Sequence, residues 1–245
     1  MNDKLKHKRG KLIFLLLMIT FLLTSCGSDK SHYQAYVKSL ITANYLGIPS
    51  EYVKLTGANE EDAESLYLQN VTRLADNLSA YYGLEISGDD ELAPAMVDLS
   101  KQIYGKAKFD VGKPYKDNNI YYVDVTVYPI DIINQCDADM EAYIDKFNAG
   151  VDAGDYNNYT KEEYEYEFAG GIIGILADAA NEIVYRDPVT VKVRIITADE
   201  TYYIGNEDLR NIDLAIMATD VKKTEAKNSG DASAPESTPS DAGDN

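Results

Sequence analysis

Tryptophan is absent from this 245-residue chain, and cysteine and histidine are each reduced to two residues. Bases are also in short supply, with 23 Lys and Arg against 41 Asp and Glu. Each shortage excludes something. His7 lies in a leader described below, so His32 is the only imidazole expected in the exported chain. A Ser-His-Asp or Cys-His arrangement would have to use that one residue beside the tether, a poor place for a general base. There is no HExxH, GxSxG, SxxK, glycine-rich phosphate loop or CxxC, so hydrolase, phosphate-loop and dithiol chemistry lack their usual signatures. Zinc and iron lack their customary ligands.

What is present begins with Lys4, Lys6, Lys8, Arg9 and Lys11, opposed only by Asp3. An apolar run from Leu12 to Leu23 follows, interrupted only by Thr20. A basic segment followed by a short greasy one is the pattern of an export signal. A permanent span needs roughly 20 apolar residues to cross the hydrocarbon layer, and this run is too short. It ends at Leu23-Thr24-Ser25-Cys26, which resembles the lipobox of bacterial lipoproteins. There the thiol takes a diacylglyceryl group as a thioether, and the small residues before it admit the peptidase. The resemblance implies a signal peptide over 1–25, palmitate-like acyl chains on Cys26 and a tether over 26–30. It places the chain on the extracytoplasmic face of the cell membrane of a Gram-positive bacterium. The covalent lipid is the one non-protein group expected.

Without residues 1–25 the chain loses five bases and one acid, leaving 18 bases, 40 acids and a net charge of −22. That surface repels polyphosphate, so nucleic acid is excluded as a partner. It also disfavours lying flat on an anionic leaflet. Cys136 is the remaining thiol, at core spacing with Ile132, Ile133 and Met140, and reads as buried and inert.

The hydrophobic period predicts a helix over 31–46, stopped by Gly47 and Pro49. A second starts after the N-cap Asn59, with Glu60, Glu61 and Asp62 at its positive end, and closes at Gly83. A third covers 90–104. The period then falls to two. Ala107, Phe109 and Val111 alternate with polar residues, and after a turn at Asp117-Asn118-Asn119 comes a strand carrying Val123, Val125 and Val127 on one side. Helical spacing returns over 131–148, followed by a loop over 150–158. Thr160 caps a long helix containing Gly170, Gly171 and Gly174, where close packing should offset their poor helix propensity. Val189, Val191, Val193 and Ile195 mark another strand, then a short one over 201–204 and a last helix over 206–218. From 222 to 245 Ser, Pro, Ala, Gly and Asp dominate, an acidic tail expected to be disordered. Residues 31–221 therefore read as a single α+β domain, with N-terminal helices and two antiparallel β-hairpins forming a small sheet packed by helices.

The stretch from Tyr36 to Asn70 and the segment Val123-Asp124-Val125-Thr126-Val127-Tyr128-Pro129-Ile130 are similar to a family of Gram-positive lipoproteins of unknown function. That resemblance implies an α+β roll of NTF2-like or cystatin-like form and carries no catalytic motif.

Twenty tyrosines against five phenylalanines suit either a wet recognition surface or the amphipathic edges of a core. The sharper candidate is the non-valine side of the sheet. There Tyr122, Asp124, Thr126 and Tyr128 could meet Thr190, Lys192 and Arg194, lining a cavity if the face curves or forming ordinary solvated pairs if it is flat. Asp152 to Glu163 fails as an EF-hand, because Gly154 and Tyr156 stand at ligand positions and Asn157 replaces the turn glycine. The Asn-x-Ser/Thr triplets at Asn70, Asn77 and Asn158 read as chance. The resulting expectation is a non-catalytic binding or scaffold module of the envelope, engaging a protein, peptide or glycan. The alternative is a carboxylate-dependent enzyme on cell-wall or carbohydrate substrates, which would need two acids converging in a pocket about 5–9 Å apart.

Overall fold

The computed structural model describes residues 31–86, 91–198 and 201–217. The leader, Cys26, the tether and the tail lie outside the described residues. The elements are α1 (Ser31–Leu46), α2 (Ser50–Thr56), α3 (Glu60–Tyr82), α4 (Leu92–Tyr104), β1 (Lys108–Val111), β2 (Tyr115–Asp117), β3 (Ile120–Tyr128), α5 (Ile132–Gln135), α6 (Asp137–Ala153), α7 (Lys161–Ala179), β4 (Val189–Ala198), β5 (Thr201–Ile204) and α8 (Asn206–Ile216). This is an α+β fold built on one antiparallel sheet, ordered β1-β3-β4-β5, with β2 also paired to β3.

Local chemistry sets most boundaries. Asn59 accepts from the Glu61 N–H at 2.9 Å, and Gly83 leaves α3 with φ +67°, a left-handed value that costs glycine little. Thr160 and Glu163 form a reciprocal capping box at the start of α7, which satisfies two helix-terminal donors at once. Asn118 and Asn119 both have positive φ (45° and 67°), as a two-residue hairpin turn of the primed type demands.

Three boundaries differ from the sequence expectation. The segment after Pro49 forms α2, whose single apolar turn is too short to show a period; Tyr52 and Thr56 anchor it. The helix expected over 131–148 is two, α5 and α6, and α6 runs on to Ala153. Gly150 therefore sits inside a helix, and left-handed Gly154 ends it. Residues 115–117 add a strand, because the chain after Gly112 returns to the edge of β3 that β1 has just left.

The core lies between the valine side of the sheet and the helices. Val123, Val125, Val127, Val193 and Ile195 are buried there with Val37 and Ile41 of α1, Ile103 of α4 and Ile212 and Ile216 of α8. Ile130 extends this line, bridging both Tyr185 and Met217. A satellite cluster around Phe147 joins α6 to α7 through Tyr143, Tyr156, Tyr164 and Phe168, with ring centroids 4.6–5.9 Å from Phe147. Cys136 is 1% exposed; burial first, then the Asp139 carboxylate, pushes its thiol up to about 11, which suppresses the reactive thiolate.

The α7 glycines divide by environment. A Cβ on Gly171 would run into the Tyr143 ring, whereas Gly170 and Gly174 have nothing within 4 Å. Tyr143 also donates to the carbonyls of Glu167 (3.0 Å) and Phe168 (3.1 Å), so the close approach is fixed from both sides. The packing expected to offset all three glycines is thus found at Gly171 alone. Gly171→Ala should destabilise by about 1–3 kcal/mol through overpacking. Gly174→Ala should stabilise by about 0.4–1 kcal/mol. Urea melts of the two variants check both signs, and equal shifts would contradict the assignment.

Buried phenols give the fold an alkaline limit. Tyr36, Tyr45 and Tyr104 are held above the ordinary tyrosine value, first by burial, then by Tyr52 at Tyr36 and by the Asp213 carboxylate at the other two. A folded-state pKa above the unfolded one contributes stability that is present below the unfolded value, about 10, and lost as pH rises past it. Cys136 acts in the same direction. The last-appearing part of the tyrosinate absorbance should therefore rise together with the loss of helical circular dichroism, in one cooperative step above about pH 10. Smooth ionisation of every tyrosine with the helical signal intact would contradict this.

Candidate functional site

Strand pairing brings the polar side of the sheet together. In the β3–β4 register Tyr122 stands opposite Arg194, Asp124 opposite Lys192 and Thr126 opposite Thr190. β2 sets Tyr115 beside Tyr122, and β1 sets Lys108 beside Tyr128 and Asp110 beside Thr126. The four β3 residues are half-buried, while Thr190, Lys192 and Arg194 are exposed.

Lys192 is the centre of this face. Its ammonium lies 4.0 Å from the Tyr122 ring centroid and 5.6 Å from that of Tyr115. It donates to Asp117 at 3.3 Å. The Tyr115 and Tyr122 rings stack at 5.9 Å and 28°, and the Tyr115 hydroxyl donates to Asp124 at 2.9 Å. Farther along, Tyr128 donates to Asp110 at 3.2 Å with Lys108 over its ring at 4.6 Å. Arg194 takes part differently: its backbone N–H, on the β4 edge beyond β5, donates to Asp208 at 3.2 Å. Burial raises the Asp208 carboxyl, and that N–H and the Arg194 charge oppose the rise. Exposed cation–π contacts of this kind are worth about 0.5–1 kcal/mol each. The face is a shallow, self-satisfied array of phenols, ammonium groups and carboxylates. Tyr115, Asp117, Lys108 and Asp110 complete it, and sequence reading did not name them as part of it. The alternation of β1 pointed to Lys108 and Asp110, but the β2 pairing had no signal.

A second feature has no sequence signature, since it arises where helices meet. A cleft of about 110 Å³ opens between α3, α4 and α8, lined by Leu74, Leu78, Tyr81, Tyr104, Leu214 and Met217 among others. At its wall Asp213 accepts from Arg73 at 2.9 Å and from the Tyr45 hydroxyl at 3.1 Å. Arg73 also donates to Asn70 at 2.6 Å, and Asn70 donates to the Asn44 carbonyl at 2.9 Å. Both Asp213 oxygens are thus engaged in tying α1 and α3 to α8. Binding pockets for small ligands usually span about 300–1,000 Å³; this cleft holds one side chain's worth.

Among residues 152–163, Glu163 is committed to the Thr160 backbone N–H at 2.8 Å. No group of three His, Cys, Asp or Glu able to hold a metal occurs among the described residues, and none of their helices is long and apolar enough to cross a membrane.

The architecture is that of an α+β domain with one antiparallel sheet. The chain is similar in structure to the candidate lipoprotein YcdA from Bacillus subtilis, with a TM-score of 0.53 and 15% sequence identity. The likeness covers 76% of this chain and 56% of that protein, so this chain spans little more than half of its length. No family model and no curated protein sequence matches the chain.

Proposed function

We propose that the protein is a lipid-anchored, extracytoplasmic binding or scaffold module of the cell envelope that engages a partner protein, peptide or glycan through the open sheet face around Lys192. The observation that carries this reading is the array of Tyr115, Tyr122 and Lys192 on a solvent-facing side of a rigid sheet. Stacked phenols offer contact area at low entropic cost, and ammonium and carboxylate groups offer orientation, as recognition surfaces require. The anchoring half rests on the basic leader, its short apolar run and Leu23-Thr24-Ser25-Cys26. The fold likeness to the candidate lipoprotein YcdA supports it. The NTF2-like or cystatin-like roll belongs to the same reading, on the ground that α1 packs along one side of the sheet.

The carboxylate-enzyme reading is the weaker one. Asp213 is the acid at the cleft and both its oxygens are engaged, while Asp110, Asp117 and Asp124 on the open face each hold a phenol or an ammonium. A shallow aromatic patch with paired acids suits docking better than an acid and a base converging on a scissile bond.

Cys26→Ala should move the chain from the membrane fraction to the soluble fraction of cells, and retention in the membrane fraction would refute lipid anchoring. For the face, Lys192→Glu and Tyr122→Ala should abolish retention of an envelope component that the parent chain retains on a column. Lys192→Glu removes two exposed cation–π contacts and should cost about 1–2 kcal/mol of stability while leaving the far-UV circular dichroism of the folded chain unchanged. Undiminished retention by both variants would refute the assignment of the face.

A further inference from the structure

One end of the sheet is built differently from the rest. At the β2–β3 turn, and at the matching ends of β4 and β5, tyrosines close the space between α1 and the sheet just beyond buried Ile195 and Ile204. Tyr33 in the first turn of α1 lies 5.1 Å from the Tyr121 ring and 5.0 Å from the Tyr202 ring, and Tyr36 lies 5.1 Å from Tyr202. Tyr33, Tyr121 and Tyr202 are all half-buried. Burial raises the hydroxyls of Tyr33 and Tyr202, each further raised by another phenol of the group. Lys116, exposed, extends over Tyr121 at 5.5 Å, and Ile120 beside it is 38% exposed. At the opposite end of β3 the line continues into fully buried Ile130 and Ile132.

This end is also where the chain enters the domain. Cys26 precedes Ser31 by five residues, a reach of at most ~18 Å even fully extended. A lipid on Cys26 therefore holds the first turn of α1 next to the bilayer surface. The far end of β3, a nine-residue strand, stands about 27 Å farther along the sheet. Tyrosine rings settle at the boundary between hydrocarbon and water because one end is apolar and the other wet. A lysine stem can lie along such rings while its ammonium stays among the headgroups.

We propose that the Tyr33–Tyr121–Tyr202 end of the sheet, with Lys116 and Ile120, is a membrane-contacting surface that rests in the lipid headgroup layer. The domain then stands with β3 steeply inclined to the bilayer, and the Lys192 face looks sideways toward partners in the envelope. This deepens the proposed function and rests on acylation of Cys26.

Because the chain lacks tryptophan, a single introduced indole reports its own depth. Full-length acylated Ile120→Trp and Val184→Trp would each be reconstituted in phosphatidylcholine vesicles with brominated acyl chains. Val184 is 51% exposed and lies beside Asp131, past the far end of β3. The expected result is a blue-shifted, strongly quenched emission for Ile120→Trp and an unquenched emission for Val184→Trp. Equal quenching at both positions, or none at Ile120→Trp in chains that float with the vesicles, would overturn the proposal. Hydrogen exchange of the unsubstituted acylated chain in the same vesicles guards against misfolding of a variant. Slowed exchange at 31–34 and 115–121, relative to the acyl-free chain, supports the contact; unchanged exchange there refutes it. Intact mass separates the two levels. A chain found without acyl groups on Cys26 overturns the anchoring and this orientation together. An acylated, floating chain with an unquenched indole overturns the orientation alone.

Discussion

Everything in this domain is referred to one strand. β3 pairs along one edge with β1 and β2 and along the other with seven residues of β4. It places Val123, Val125 and Val127 inward at 0–1% exposure. Because side chains alternate along a strand, a slip of β3 by one residue against β4 would turn all three valines outward and Asp124 inward. The same alternation that makes the core therefore also makes the open face. Burying three valine side chains favours the observed register by about 1.5 kcal/mol or more for each.

The helices depend on that register at second hand. α8 packs on the sheet through Ile212 and Ile216, and Ile130 accepts this arrangement by donating its N–H to the Ile216 carbonyl at 2.7 Å. Asp213 on the same helix then ties down Arg73 of α3 and Tyr45 of α1. Asp213 is only 15% exposed in its side chain and Arg73 is 40% exposed. A pair so placed gains less from charge than from holding three helices in one arrangement, since desolvation offsets much of the attraction.

Much of this was legible in the residues. The valine strands, the Asn59 and Thr160 caps and the glycine stop at Gly83 are local signals read at short range, and the structure places each where it was expected. The grouping of Tyr122, Asp124 and Thr126 with Thr190, Lys192 and Arg194 followed from alternation once two strands were assumed to be neighbours. What escaped notice needed contacts distant in sequence. β2 is three residues long and becomes a strand only because the edge of β3 is free beside it. The split between α5 and α6 falls at Cys136 with no breaker residue to mark it, and buried Ile132, Ile133 and Met140 keep one helical period across it. The Asp213–Arg73–Tyr45 junction joins residues separated by 140 and 168 positions, so no pattern along the chain could announce it.

The margins of the sheet carry a further consequence. β1 and β2 are four and three residues long and follow each other along a single edge of β3, separated by a stretch containing Pro114. On the other side, the β4 N–H left over at Arg194 is taken by the Asp208 carboxylate. Short, interrupted or capped borders give a neighbouring chain little continuous backbone to pair with. Lipid anchors crowd molecules into two dimensions, where collisions between copies are frequent. On the proposed lipid anchor, copies with such borders would pack side by side without zipping into fibres.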